Sequence, residues 1–422
     1  MTILPHAGKE YKHNEKNAET GVAAGWKGGR ALTVVDIRNQ VTDSSVELIE
    51  IGQDLIYYAE EKVEEGHNSL FILEYDRNAR RERIVANYIL NDPSFTQHYF
   101  SFLHDIVVVM ENGGSAAWVL RLEKESGKEK NFAYIHFIGG FAGCCALDEN
   151  HILFYTEENE EHKKLFRDYK KLTGFPKIAY LYDIDGEVYY YIKDKRVCTL
   201  SAENVVPFDW NGEPQLLVLQ PYGDEKEKEH CYKNIRWMGE SVNDNVWLCP
   251  LLDFLVSAKA SEPAFPMELV LSAGTDGMVR YAGMDEENLY FRAKYFPEDD
   301  MRVCAVEKQT GRKSVVAALN LEKEEKESRF YTDISSAKIY KVQKTGKGYH
   351  VRGVLNSQVD AEYSEELGDF VSCVEDRFLI AQYVMSDEKD SFEFNSIYDV
   401  ETGEQKSYEC RCAVKGGTVV LY

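Results

Sequence analysis

The chain has 422 residues, of which 49 are basic and 72 acidic, giving a formal net charge of −23. So acidic a chain is a poor candidate for sequence-independent binding to DNA or RNA, which needs Lys and Arg to displace counterions from phosphates. With 44% hydrophobic and 29% charged residues the composition is that of an ordinary globular protein, and the length suits two or three domains or one large β architecture.

Residues 1–30 carry no strand pattern and are expected to form a mobile tail. They lack the run of about seven to fifteen apolar residues that a secretory signal requires. Further along, no apolar run reaches the ~18 residues needed to span a bilayer, and no basic stretch with an apolar face suited to anionic lipid is found. The nine cysteines include adjacent Cys144 and Cys145, and Cys410 and Cys412 one residue apart, but no C-x-x-C. They read as buried, reduced thiols without disulfide, metal or redox role. The expected location is cytoplasmic, with neither membrane nor nucleic acid as partner.

From residue 31 onward the apolar pattern is short, period-two and aromatic-rich, with 27 Tyr and 20 Phe in the chain. That is the strand signal. Strand-like runs include residues 54–60, 69–75, 105–111, 116–123, 151–157, 177–183 and 187–193, then 215–221, 288–296, 338–344, 377–384, 392–400 and 418–422. One sub-pattern, a short apolar run, a polar turn and a stronger apolar run, recurs eight times. Its copies are residues 47–58, 99–109, 143–155, 205–219, 278–291, 331–342, 371–383 and 412–422, a pitch of about 52 residues. A second sub-pattern follows most copies: strand, an acid-to-glycine turn, strand. It is seen at Glu123–Gly127, Asp183–Gly186, Glu307–Gly311 and Asp399–Gly403, and at Asp76–Arg80 with Asn78 in place of glycine. Glycine accepts positive φ without a Cβ clash and so suits the tip of an antiparallel hairpin.

A four-stranded antiparallel unit repeated every 40 to 60 residues or so indicates a β-propeller blade. The fold expected is all-β, with residues 31–422 forming one propeller of seven or eight blades, eight being favoured by the hairpin count. The last copy, residues 412–422, supplies two strands and no outer pair. The segment 31–37 is therefore expected to add to that sheet and join the chain ends, because an unpaired edge is an aggregation hazard.

As strings, FNSIYDVETGEQKSY (394–408) and IAYLYDIDGEVYYY (178–191) resemble the outer hairpins of bacterial propellers of the quinoprotein-like and lactonase-like kinds. NLYFRAKYFPEDDMRVCAVEKQTGRKSV (288–315) resembles a blade of the TolB and dipeptidyl-peptidase groups. The resemblance is architectural. The chain lacks a strand-ending Trp-Asp, a kelch Gly-Gly repeat, a quinoprotein tryptophan motif and an appended α/β-hydrolase domain, so no functional residue is carried over.

Two insertions interrupt the blades. In residues 158–175, Leu165, Phe166, Tyr169 and Leu172 share one apolar helix face. Thr156 is expected to cap this helix, Glu160 to pair with Lys164, and Gly174 to end it. The helix reads as removable without unfolding the protein. Residues 222–265 form the second insertion, with helices expected over 223–239 and 251–260. Both insertions either pack over the blade rim or form a platform for a partner, and Leu165, Phe166, Tyr169, Trp237 and Trp247 are the candidate surface.

Catalytic signals are weak. Gly113-Gly-Ser115-Ala-Ala117 approaches a nucleophile elbow but lacks its last glycine. His6 and His13 lie in the tail, and His104, His136 and His151 adjoin strands without metal-ligand spacing. Acid pairs read as solvated surface, and the glycine pairs do not precede helices with phosphate-loop spacing. Nothing demands a nucleophile, metal or cofactor. The leading expectation is a non-enzymatic scaffold presenting a rigid surface to a protein or small ligand. The alternative is a hydrolase or lyase acting on a glycan or lactone at the mouth of the propeller shaft.

Overall fold

The structure is a computed structural model that describes residues 4–5, 32–37, 44–64, 67–90, 95–175, 177–198, 202–210, 212–221, 243–273, 277–295, 300–320, 328–386, 391–415 and 417–422. Its strands form eight separate sheets, and the fold is an eight-bladed β-propeller with small helical insertions. Blade 1 consists of β3 (Ser44–Ile51), β4 (Leu55–Glu64), β5 (His67–Asp76) and β6 (Arg81–Leu90), with β1 (Leu4–Pro5) on its outer edge. Blade 2 is β7 (Thr96–Ser101), β8 (Asp105–Glu111), β9 (Ala116–Glu123) and β10 (Glu129–His136). Blade 3 is β11 (Gly140–Ala146), β12 (His151–Glu157), β13 (Ile178–Asp183) and β14 (Val188–Tyr191), with α1 (Lys163–Thr173) between its second and third strands. Blade 4 is β15 (Val205–Trp210), β16 (Glu213–Pro221), β17 (Asn243–Pro250) and β18 (Glu268–Ser272). The short α2 (Lys195–Cys198) precedes blade 4, and α3 (Leu251–Lys259) lies between β17 and β18.

Blade 5 contains β19 (Gly277–Met284), β20 (Asn288–Tyr295), β21 (Asp300–Glu307) and β22 (Lys313–Asn320). Blade 6 contains β23 (Ser328–Asp333), β24 (Lys338–Thr345), β25 (Gly348–Leu355) and β26 (Asp360–Tyr363). Blade 7 contains β27 (Asp369–Val374), β28 (Phe378–Ser386), β29 (Ser391–Asp399) and β30 (Gln405–Glu409). Blade 8 has three strands in the order β2 (Thr33–Asp36), β32 (Thr418–Leu421), β31 (Cys412–Lys415). All eight copies of the first sequence sub-pattern fall on the first two strands of a blade.

The chain divides into two compact units. One holds blades 2 to 4. Within it, Val107, Val119, Phe137, Phe154 and Tyr180 pack blade 2 on blade 3, and Leu153, Tyr155, Leu181, Leu216 and Val218 pack blade 3 on blade 4 with help from Phe254 of α3. The other unit holds blades 1, 6, 7 and 8 and most of blade 5, with equivalent apolar layers between blades 5 and 6, 6 and 7, 7 and 8, and 8 and 1. Each layer exists because a sheet with two apolar faces is stable only when stacked on neighbours.

The chain ends meet as expected in blade 8. Thr33 to Asp36 pair with Thr418 to Leu421, and the Ile37 N–H donates to Leu421 O at 2.9 Å. The pairing is parallel, so β2 is not simply the third strand of an up-and-down blade. Leu4–Pro5 pairs with Ile89 and Tyr88, within a stretch that has no strand pattern in the sequence.

Three of the acid-to-glycine turns share one bonding scheme. In Glu123–Lys128, Glu307–Arg312 and Asp399–Glu404 the acid N–H donates to the sixth residue's carbonyl at 2.9 Å, and the glycine N–H returns to the acid carbonyl at 2.8 Å. The Ser126, Thr310 and Thr402 hydroxyls donate to the acid's carboxylate. Gly127, Gly311 and Gly403 have φ of 67°, 67° and 72°. Two turns depart from expectation. After Asp183 the left-handed residue is Glu187, not Gly186, because the Asp183 carboxylate holds the Gly186 N–H at 3.0 Å. In the blade 1 turn it is Arg80, not Asn78, whose N–H and amide are taken by Asp76 and Asp54.

Helix α1 also starts later than expected. Thr156 and Glu157 remain in β12, paired with Phe141 and Gly140, so Thr156 caps no helix and its hydroxyl donates instead to Ile138 O at 2.8 Å. Glu160 pairs with Lys163 at 2.8 Å, one residue short of the expected Lys164, because the helix begins only at Lys163. Gly174 does end it, in the left-handed conformation with φ 76°. The 222–265 insertion is split by β17, which pairs along its length with β16. The helix expected at 251–260 is α3, and the one expected at 223–239 lies outside the described residues, as do His6 and His13.

Candidate functional site

In the unit of blades 2 to 4, the β8–β9 turn, the β10–β11 connection and the segment leading into α1 come together. The Phe137 N–H donates to Ser115 O at 2.7 Å, and the Phe141 N–H to Gly114 O at 2.9 Å. At the tip of the β8–β9 turn, the Gly113 N–H donates to Glu111 Oε2 at 2.5 Å, and His98 Nε2 lies 3.5 Å from Glu111 Oε1. Ser115 Oγ accepts from Asn159 Nδ2 at 2.9 Å and donates to Glu161 Oε2 at 3.0 Å. His162 Nδ1 is 3.3 Å from the same oxygen and accepts the Gly139 N–H at 3.2 Å. The Asn159 side-chain oxygen in turn accepts the His162 N–H at 2.9 Å.

This cluster contains the serine of the imperfect nucleophile motif, beside a histidine and a glutamate. Its hydrogen bonds describe a latch. A backbone N–H can only donate, so His162 Nδ1 is the acceptor in its bond with Gly139. The Ser115 hydroxyl is engaged on both sides, by Asn159 and Glu161. Together these bonds tie the start of α1 to blade 2.

Below the latch, Phe166 inserts into the layer between blades 2 and 3 and is 1% exposed. Gly139 makes room for it. Its φ is 98°, and a Cβ there would stand 2.5 Å from both Glu157 O and the Phe166 ring. Tyr169 is half-buried on the same layer. Burial pushes its phenol up to about 12, with Cys198 and Tyr191 of β14 adding to the shift and a Thr173 hydrogen bond opposing it. The Tyr191 ring packs 5.0 Å from Tyr180.

The outer side of α1 is different. Leu165 is 50% and Leu172 86% exposed. The predicted apolar face is thus divided, with Phe166 and Tyr169 inward and the two leucines outward. Phe166 belongs under the helix and offers no surface to a partner. On α3, Phe254 and Ala258 are buried while Leu252 is 71% and Val256 57% exposed. Lys259 at its end reaches Asp183 of blade 3 at 2.7 Å. Trp247 is half-buried in β17, its Nε1 donating to Gln220 at 2.7 Å and its ring covered by the Arg196 guanidinium 4.9 Å away. Trp237 lies outside the described residues.

The other residues singled out in the sequence have structural surroundings. His151 is buried and held by Asp148 at 2.9 Å. His104 and His136 are exposed, His136 edge-on to Tyr134. Burial pushes the Cys145 and Cys198 thiols up to about 12, so both are neutral near pH 7. Among the described residues no three His, Cys, Asp or Glu side chains converge so as to hold a metal ion. Sequence reasoning missed Asn159, Glu161 and His162 as partners of Ser115. Their spacing in the chain, more than 40 residues from the serine, carries no signal.

No family model and no curated protein matches the chain. Solved structures resemble it in fold. An uncharacterised protein of Listeria monocytogenes is 10% identical, with 90% of this chain and 97% of that one covered at a TM-score of 0.42. The β-propeller domain of the trilobed protease from Pyrococcus furiosus is 9% identical over 86% and 94%, with a TM-score of 0.41. TolB from Acinetobacter baumannii is 10% identical over 89% and 81%, with a TM-score of 0.30. At such identities the likeness is one of fold alone.

Proposed function

We propose that the protein is a non-enzymatic propeller scaffold that presents a rigid surface to a protein partner, with the inserted helices of blades 3 and 4 as its docking platform. The observation that carries this reading is the exposure of Leu165, Leu172, Leu252 and Val256 on those helices. A helix that served only to cover a blade rim would turn such residues inward, since burying each is worth about 1.5–3 kcal/mol. Both helices are anchored, α1 by Phe166 and the Ser115 latch, α3 by Phe254 and Lys259, so their outer faces are held in place before binding. The alternative, a hydrolase, has in its favour the 3.3 Å approach of Ser115 to His162. Against it, the serine proton already has a carboxylate acceptor, and His162 Nδ1 already accepts a backbone N–H.

The test is a photo-cross-linking residue placed at Leu172 or Leu252 in the native cell. The expected result is a discrete protein adduct that disappears with Leu165→Ser or Val256→Ser, respectively. Absence of adducts at both helices overturns the reading. So does ester hydrolysis or fluorophosphonate labelling by the purified protein that is abolished by Ser115→Ala.

A further inference from the structure

The charge on α1 runs against the charge of the chain. Of its eleven residues, Lys163, Lys164, Arg167, Lys170 and Lys171 are basic and only Asp168 is acidic, in a protein of net charge −23. The sequence reading found no basic stretch with an apolar face, yet α1 is a short one. At 100° per residue, Leu165 and Leu172 lie on one stripe seven residues apart, Lys164 and Lys171 form a parallel stripe on one flank, and Tyr169 lies on the other. In the same blade, Tyr191 and Tyr189 of β14 are 40% and 41% exposed. On one flank Asp168 stands next to the apolar stripe, 3.8 Å from Lys171, with Lys164 and Lys171 just beyond it, and Tyr169 stands on the other flank. The ion pairs of this helix, Lys163–Glu160, Arg167–Glu158 and Lys171–Asp168, join exposed side chains and are easily exchanged for others.

Size restricts the occupant. Eleven helical residues span about 16 Å, too short to supply the roughly 800 Å² per side of a stable interface between folded domains. A linear segment of two or three helical turns matches it, placing apolar residues on Leu165 and Leu172 and carboxylates against Lys164 and Lys171. Building on the scaffold reading, we propose that the outer face of α1 docks a short acidic amphipathic segment of a partner protein. Anionic lipid would meet the same cations, but a chain of net charge −23 is repelled from such a surface, and two leucines offer little apolar area to insert.

The probe is a synthetic sixteen-residue (about four helical turns) amphipathic peptide of Leu and Glu, titrated into the full-length protein with fluorescence anisotropy as the readout. A peptide with Lys for every Glu is the control. Binding of the Glu peptide alone is expected, weakened about tenfold by Lys164→Glu with Lys171→Glu, and similarly by Leu165→Ser with Leu172→Ser, and falling with added salt. These side chains are exposed, so the variants should melt like the parent, which thermal scans check. Equal affinity for both peptides, or for parent and variants, overturns the proposal. So does sedimentation with phosphatidylserine vesicles, or self-association, that is lost in the Lys164→Glu, Lys171→Glu variant. If the peptide fails while cross-links at Leu172 persist, the acidic segment is wrong and the scaffold stands; if both fail, the platform itself is wrong.

Discussion

Arg377 and Asp399 meet through two hydrogen bonds, 2.8 Å from Nε and 2.6 Å from Nη2, with both side chains almost wholly shielded from solvent. Burial alone would push the Asp399 carboxyl up, but the guanidinium, the Thr402 hydroxyl and the Glu401 N–H outweigh it and hold it at about 2. A carboxyl held below its unfolded value contributes stability above that value, and the contribution is lost as pH falls through about 4 towards 2. The expected amount is about 2 kcal/mol. Asp399→Asn should cost about 2 kcal/mol in urea unfolding at pH 7, because the guanidinium loses its two bonds to this carboxylate and keeps Glu401 at 2.8 Å, and should flatten the acid limb between pH 4 and 2. A variant with the parent's acid limb would contradict this. At the turn tips the stake is smaller. Gly311 has φ 67° and open space around its Cβ direction, so Gly311→Ala should cost about 1 kcal/mol through backbone strain, and Gly311→Asn less. The acid and glycine of these turns are legible from spacing alone. Arg377 as the partner of Asp399 is not, because it depends on the pairing of β28 with β29, which places Phe378 opposite Asp399.

For an inserted element the question is which part of it belongs to the core. Phe166 fills the blade 2–blade 3 layer, so Phe166→Ala should cost about 3 kcal/mol. Gly139→Ala should do comparable damage from the other side, since its Cβ would overlap the Phe166 ring and Glu157 O. Hydrogen exchange should then show α1 opening while β12 and β13 stay protected; a G139A protein with parent-like protection in α1 would refute this packing. Deleting residues 160–172 should leave a folded protein, weaker by about the Phe166 contribution. The helix and its apolar residues are evident from the sequence. The division of that face, with Phe166 in and Leu165 and Leu172 out, is not. It follows from the room that Gly139 leaves for the Phe166 ring, which has no periodic signature.

At the scale of the molecule, the eight inner hairpins gave the blade number and the leftover segment 31–37 gave the closing strand, because each has its own apolar pattern. The parallel sense of β2 on β32 had no such trace. The closure has several supports: Val419, Val420 and Leu421 are buried, Arg77 reaches Thr418 at 2.9 Å, and Arg411 donates to Val46 O and stacks on Tyr422. Removing residues 412–422 strips β31 and β32 and leaves β2 without a sheet, whereas removing residues 1–25 takes away, among the described residues, the two-residue β1. The first truncation should unfold the protein or lower its Tm by more than 10 °C, on the order of several kcal/mol for a lost sheet; the second should lower it by a few degrees at most. The reverse order would dismiss this closure.

The strand that completes blade 8 leaves the ribosome long before its partner, Thr33 pairing with Thr418. At roughly 5–20 residues per second, the nascent chain carries an unsatisfied β2 for roughly 20–80 s. Blades 2 to 4, whose strands are all local in sequence, can assemble during that interval. The pairing of β2 with β32 is then a late step, and until Thr418–Leu421 emerge β2 is open to capture by a chaperone or by the edge of another chain.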